Sequence, residues 1–360
     1  MILFAVGEGR ERGYRNPSRA SIIARACLAR GMDVSFICAG QEVYDQLLRR
    51  GLSHIQLCAY DCMVKESASR KPPILVWDAA RPLTQKETSH LHRRGVFIIE
   101  FDGSAGMSFA DEVVNGFEPV LHSATGRTYQ LTGPDHIVVD KSFSDAKEWR
   151  RAASFFHNQQ DLFVCFSGEH GEQLLRSTLA VLTDIPACRS IQIRAVACLD
   201  SSRAVSIQRE FAGFKNLQIY READAALKAQ LMRFSRLGIV AFGPVLAEAM
   251  AAELPVFLIN GTRADGERAD EALKSIFAGI GKTFGYAPEI DWEAFRRELE
   301  HLLERPRDIE RMQMKAARMV DGQGAQRIAR YIQSYMENRT KVQGSWLQGN
   351  ESRGVIPLSR

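Results

Sequence analysis

Four stretches of this chain set glycines and charged side chains where apolar runs end, a pattern suited to an anion or a sugar. Residues 7–17 (GEGRERGYRNP) carry three glycines and lead into a helix start at Asn16-Pro17. Asn accepts from first-turn amides and Pro prefers the first helical position. With Arg10, Arg12, Arg15 and Arg19 nearby, helix amides and guanidinium groups there could hold an anion or a sugar. Asn16, Arg15 and Arg19 are therefore candidate substrate contacts, and Glu8 and Glu11 candidate acids or bases, unless the loop is only a capped, self-neutralising surface. Residues 167–171 (SGEHG) offer Gly168 for close backbone approach to a diphosphate and His170 as a phosphate or leaving-group contact. Short glycine turns also join ordinary strand–helix units. Residues 101–107 (FDGSAGM) place Asp102 at the carboxyl end of a strand, as a substrate or base residue; Asp78 ends its own strand at the same level.

The most informative stretch is 238–258 (GIVAFGPVLAEAMAAELPVFL). It reads as a buried strand at 238–241, a turn at Phe242-Gly243-Pro244, a small-residue helix at 245–253 and a second strand at 255–259. The helix N-terminus, with unpaired N–H groups and about half a positive charge, suits a phosphate. Glu248 is the one charge within the helix body, a turn in. Gly243 and Glu248 are thus candidate nucleotide contacts, with Asp265 in the following loop 260–268 (NGTRADGER) flanking a bound nucleotide. A plain strand–helix–strand unit with Glu248 facing solvent is the competing reading.

Other chemistries lack their signatures. Net charge is +4, with no basic block interleaved with aromatics, so nucleic acid is not expected. No apolar run approaches membrane-span length, and the first residues lack a signal-peptide core. Seven cysteines, mostly in apolar runs, read as reduced thiols of a cytoplasmic protein. No metal is expected: Cys58 and Cys62 have no second pair, and His90 and His92 do not share a helix face. His54, His122, His136, His157 and His301 stand isolated. There is no G-x-S-x-G, and the Gly7/Gly9 pair lacks the third glycine of a dinucleotide fingerprint, so no cofactor is expected.

The elements that must position these loops alternate between strand and helix. Apolar runs at 2–6, 33–38, 54–58, 74–77 and 96–100 alternate with helical patterns at 18–30, 41–50 and 83–94, and 137–139 closes the half. A polar stretch, 140–161, reads as a link. The alternation restarts at 162–166 and runs through 172–182, 191–196, 201–211, 217–220 and 223–234 into the unit around Glu248, followed by helices at 293–304, 308–319 and 325–336. The expected fold class is α/β: two doubly wound Rossmann-like domains, 1–145 and 160–337, facing a cleft, with 338–360 a disordered tail.

With those loops in place, the chain resembles the pseudaminic-acid pathway nucleotide-sugar hydrolases and related spore-coat polysaccharide proteins, which have the MurG-like two-domain, GT-B architecture. Residues 13–19 (GYRNPSR) align with that family's Gly-x-Gly-His-x-x-Arg, and Phe101-Asp102 with its Phe-Asp-Asp. Residues 111–115 (DEVVN) align with Asp-x-x-x-Asn, and 243–249 (GPVLAEA) with Gly-Ser-Thr-Leu-x-Glu-Ala. The resemblance implies that Leu246 belongs to the nucleotide site, that Glu248 holds ribose hydroxyls and that the partner is a UDP-sugar, with other enzymes of a glycan pathway as further partners. The departures fall on catalysis. The family's catalytic His is Asn16 here, whose amide does not titrate, and Pro244-Val245 replaces the phosphate-binding Ser-Thr. The implied activity is hydrolysis of a UDP-linked amino sugar, as by UDP-2,4-diacetamido-2,4,6-trideoxy-beta-L-altropyranose hydrolase, with Glu8 and then Asp102 substituting as base. A GT-B glycosyltransferase and an inactive binding protein of the same fold are the alternatives.

Overall fold

The computed structural model describes residues 1–7, 17–70, 72–79, 81–102, 108–118, 129–152, 161–168, 170–197, 201–221, 223–275, 277–316 and 319–351. Its first sheet contains β1 (Ile2–Val6), β2 (Val34–Cys38), β3 (Ile55–Leu57), β4 (Ile74–Asp78), β5 (Phe97–Phe101) and β6 (Glu112–Val114). Helices α1 (Pro17–Leu28), α2 (Gln41–Arg49), α3 (Met63–Arg70) and α4 (Gln85–His92) connect them. All strands are parallel, in the order β3-β2-β1-β4-β5-β6. The central strands are buried on both faces, which is why they read as unbroken apolar runs. β6 and α3 were not among the expected elements. β6 is three residues long and α3 (MVKESASR) is mostly polar, so neither gives a periodic signal.

Helix α5 (Lys141–Ala152) follows, then the second sheet: β7 (Asp161–Cys165), β8 (Ile193–Val196), β9 (Leu217–Tyr220), β10 (Ser235–Val240), β11 (Val256–Asn260) and β12 (Gly281–Tyr286). Helices α6 (Gly171–Asp184), α7 (Ser201–Glu210), α8 (Ala225–Phe234), α9 (Pro244–Ala251) and α10 (Arg263–Lys274) lie between them. The order β12-β11-β10-β7-β8-β9 repeats the topology of the first sheet. Each sheet reverses its winding beside its first strand, between β1 and β4 and between β7 and β10. Such switch points open a crevice beyond the carboxyl ends of the strands.

Within the stretch expected to be a polar link, residues 141–152 form an anchored helix, and residues 153–160 lie outside the described residues. Phe143 and Ala146 of α5 enter the second domain's core. Fully buried Arg150 donates through Nη1 to the carbonyls of Met232 (2.8 Å) and Ser235 (2.7 Å), and through Nη2 to Gln313 Oε1 (3.1 Å). Burial pushes the Arg150 pKa down to about 9. Residues 137–139, expected as a strand, are the extended crossing between domains. Helices α11 (Trp292–Glu304) and α12 (Pro306–Ala316) complete the second domain, and α13 (Gly324–Glu351) returns to the first. There Ala325, Ile328, Ala329 and Ile332 pack into the core around Ile2, Phe4 and Ile23. Tyr331 donates to buried Glu112 at 3.0 Å, tying α13 to β6. The final helix therefore belongs to the first domain's core rather than to the 160–337 unit. It also runs on to Glu351, past the expected start of a disordered tail at 338; residues 352–360 lie outside the described residues.

Candidate functional site

At the switch point of the first sheet, α1 brings Arg19 over the ends of β4 and β5. Arg19 donates from Nη2 to Asp78 Oδ1 (2.6 Å), from Nε to Asp78 Oδ2 (3.2 Å) and from Nη1 to Asp102 Oδ2 (2.8 Å). Its guanidinium lies 4.3 Å from the centroid of the Phe101 ring. Asp78 is buried at 1% exposure, whereas Asp102 is partly open at 19%. Burial opposes the charge on Arg19, but Asp102 and Asp78 outweigh it and hold the guanidinium well above its ordinary pKa. For Asp78, burial outweighs Arg19 and raises the carboxyl. The two-pronged geometry, each carboxylate oxygen taking one N–H, is that of an ionised Asp78. Asp102 occupies a left-handed backbone conformation, φ 55°, fixed by its N–H to the Val114 carbonyl at 3.0 Å.

Opposite, β10 ends at Val240 and the chain turns through Gly243, φ 124°, into α9. Pro244 occupies the first turn and lacks an N–H, so Val245 and Leu246 supply the first amides without a partner inside the helix. Glu248 lies one turn in, and both its oxygens accept from Lys228 Nζ of α8. Burial raises the Glu248 pKa, Lys228 opposes, and Asp140 adds to the rise. Solvent exposure of Glu248, one reading of the sequence, is not what the fold provides.

Arg19, Phe101 and Asp102 from the first domain and Pro244, Ala247 and Glu248 from the second line one cavity of about 100 Å³. The crossing residues His136 to Asp140 also line it. Phe117 of the first domain, which lines the cavity too, meets Phe242 of the second in a tilted ring contact, centroids 4.8 Å apart at 52°.

The cavity thus gathers three sequence candidates, Arg19, Asp102 and Glu248, with Asp78 directly behind Arg19. Other candidates are used differently. Leu246 is fully buried in the second core and supports α9 from behind, so its side chain is no ligand contact. Asp265 lies in the first turn of α10 rather than in a loop: its N–H donates to the capping Thr262 Oγ1 at 3.1 Å, and that hydroxyl donates to Asp265 Oδ2 at 2.8 Å. Gly168, φ 88°, makes the turn before α6, and His170 packs on Gly261, where a Cβ would lie 2.5 Å from that of His170. Neither Gly168 nor His170 lines the cavity. Glu8, Arg15 and Asn16 lie outside the described residues. Among the described residues no group of three His, Cys, Asp or Glu side chains is placed to hold a metal ion, and no helix is long and apolar enough to cross a membrane. Lys228 and His136 were missed. Lys228 sits in a helical stretch that reads as ordinary, and His136 carries no motif.

The same arrangement of two sheets about one cleft recurs among solved structures. Acinetobacter baumannii MurG matches at TM-score 0.65 and 14% identity, over 92% of this chain and 99% of that one. The architecture is GT-B. A Neisseria meningitidis UDP-GlcNAc 2-epimerase, solved with UDP-GlcNAc bound, matches this GT-B chain at TM-score 0.60 and 13% identity, over 93% of this chain and 100% of that one. A Rickettsia africae glycosyltransferase matches at TM-score 0.58 and 13% identity, over 93% and 97%. At these identities the likeness is one of fold alone. No protein-family model and no curated protein matches the sequence, and the shared architecture supports the GT-B fold without supporting the pseudaminic-acid hydrolases in particular.

Proposed function

We propose that the cleft binds a UDP-linked amino sugar and transfers the sugar to an acceptor hydroxyl. The observation that carries this is a cavity shared by the carboxyl ends of both sheets, with Glu248 on one wall and the Arg19–Asp102 pair on the other. Glu248 offers two carboxylate oxygens that can accept from ribose hydroxyls, and both also accept from Lys228 Nζ. The first amides of α9, unpartnered within the helix, are the groups that would take the diphosphate. With Asp78 and Asp102 ionised, their cluster with Arg19 carries one net negative charge. Its open member, Asp102, favours positive charge developing at the anomeric carbon. At about 100 Å³ the cavity is smaller than the ~300 Å³ of a usual ligand site. A whole nucleotide sugar therefore requires the domains to part beside Phe117 and Phe242.

Transfer is preferred to hydrolysis because glycosyltransferases stand among the neighbours in fold, while the hydrolase family's His is Asn16 here. Calorimetry with UDP, followed by UDP release from UDP-GlcNAc with and without a hydroxyl acceptor, tests the reading. Binding with acceptor-stimulated release supports transfer. Release indifferent to acceptor supports hydrolysis, and no UDP binding overturns both. Glu248→Ala should weaken UDP binding by about 1–3 kcal/mol, the cost of losing hydrogen bonds to a charged group; unchanged affinity removes Glu248 from the site.

A further inference from the structure

Transfer to a hydroxyl needs a group that takes its proton, and an amide at position 16 cannot do so. His136 lines the cavity together with Arg19, Asp102 and Glu248. Its Nδ1 lies 2.9 Å from the carbonyl oxygen of Thr132. A carbonyl oxygen only accepts, so Nδ1 bears the ring's proton. In the neutral imidazole the lone pair is then on Nε2, which has no hydrogen-bond partner among the described residues. A backbone carbonyl fixing one nitrogen so that the other can accept is how a base is oriented within an active site. Of the described histidines, His136 alone lines this cavity. His92 pairs with Asp111 on an exposed face, and His170 packs on Gly261.

The position of His136 in the chain adds a second argument. It ends the short turn Pro134–His136 at the crossing between domains. The return crossing presses on it: a Cβ at Gly324 would lie 2.9 Å from the His136 carbonyl carbon and 2.2 Å from the Ile137 oxygen. Arg327 of α13 donates to the Asp135 carbonyl at 2.9 Å. The imidazole is thus carried by the segment about which the domains must turn to admit a ligand.

We propose that His136 is the general base of the transfer, delivered to the acceptor as the cleft closes. The acceptor O–H gives its proton to Nε2 and the oxygen forms the bond to the anomeric carbon. The bond from that carbon to the β-phosphate oxygen breaks, and its electron pair leaves with the nucleoside diphosphate. The imidazolium then returns its proton to solvent. No oxidant or co-reactant is needed. The inference rests on the nucleotide-sugar reading above and adds the residue that moves the proton.

The test compares full-length wild type with His136→Ala and His136→Gln. UDP affinity is measured by calorimetry, and UDP release from UDP-GlcNAc is measured with and without a hydroxyl acceptor. Nitrogen NMR of the His136 ring is recorded before and after UDP-GlcNAc is added. The expected result is UDP affinity within about twofold of wild type and release slowed by about 100-fold or more, as for loss of a general base. Added imidazole should restore part of the rate to His136→Ala, and the wild-type ring should be the Nδ1–H tautomer with an Nε2 signal that moves on ligand addition. If wild type fails to bind UDP, the nucleotide-sugar reading falls and this inference with it. If UDP binds but either variant releases it within about threefold of wild type, His136 is not the base while the binding reading stands. An Nε2–H tautomer, or an Nε2 signal unmoved by UDP-GlcNAc, overturns the assignment even if UDP-GlcNAc is not turned over.

Discussion

Arg19 shows how much one side chain can hold together at this site. It compensates buried Asp78 with two hydrogen bonds and partly open Asp102 with a third. Arg19→Met would take two charge-assisted hydrogen bonds from buried Asp78 and one from Asp102, a loss of about 1.5–3 kcal/mol for each well-shielded hydrogen bond to a charged group. Adding Asp78→Asn should recover part of that loss. Urea unfolding of the single and double variants decides the matter: a loss below about 1 kcal/mol would mean that water screens the cluster. A second charged residue sets a pH dependence away from the cleft. Glu87 closes a capping box on α4 with Thr84 and takes both Nη atoms of Arg81, at 2.8 and 2.6 Å. The Arg81 hydrogen bonds, against burial, lower its pKa from 4.5 to about 2. A depressed carboxyl stabilises the fold above its unfolded pKa and loses that contribution as pH falls through its folded value. The deficit of Glu87→Gln relative to wild type should thus be full at pH 7 and shrink between about pH 4.5 and 2, read from urea midpoints; a constant deficit would show that the charge on Glu87 is irrelevant.

At the scale of elements, the two chain crossings are packed backbone to backbone, which is why glycines stand there. At Gly324 the nearest atoms to an added Cβ belong to the Ile137 and His136 main chain, which no rotamer change relieves. Gly324→Ala should cost about 1–3 kcal/mol, the range for overpacking. Gly213→Ala, where an added Cβ would meet nothing within 4 Å, serves as the control and should be close to neutral. Equal effects on thermal unfolding would show that the crossings are looser than their packing implies. Helix α5 teaches a related lesson about legibility. Its Lys, Glu and Arg content reads as solvent-facing, yet Arg150 is fully buried because the ends of α8 and β10 present carbonyls to it. Composition reports what a side chain is, and not whether distant carbonyls will receive it.

For the molecule as a whole, α13 makes the first domain depend on the far end of the chain. Ala325, Ile328, Ala329 and Ile332 are at most 2% exposed, and all pack against the first sheet's core. A chain ending at residue 323 should lose protection across residues 1–140 while β7–β12 stay protected; a chain ending at 337 should keep both. Hydrogen exchange distinguishes these outcomes, and a protected first domain in the shorter chain would show that α13 is dispensable. The same contact explains how two similar domains form one cleft. The chain passes between them twice, at His136–Asp140 and just before Gly324, so their separation is a motion about paired strands of backbone rather than about one free linker.

By itself the sequence determined the strand–helix alternation apart from its short or polar members β6, α3 and α5, both sheets' parallel character and the place of Glu248 one turn into α9. Those properties follow from short-range patterns: unbroken apolar runs make strands buried on both faces, and glycine or Asn-Pro signals mark where helices begin and end. It also brought Asp78, Asp102 and Arg19 forward, since strand ends and helix starts can be located without knowing what they meet. Only the tertiary structure decided that these three form one ion cluster, that Lys228 holds Glu248 and that His136 shares the cavity with both. It likewise assigned α13 to the first domain. A helix's apolar stripe states that one face must be buried, but not against which core, and contacts between residues 59 or 219 positions apart leave no periodic trace in the chain.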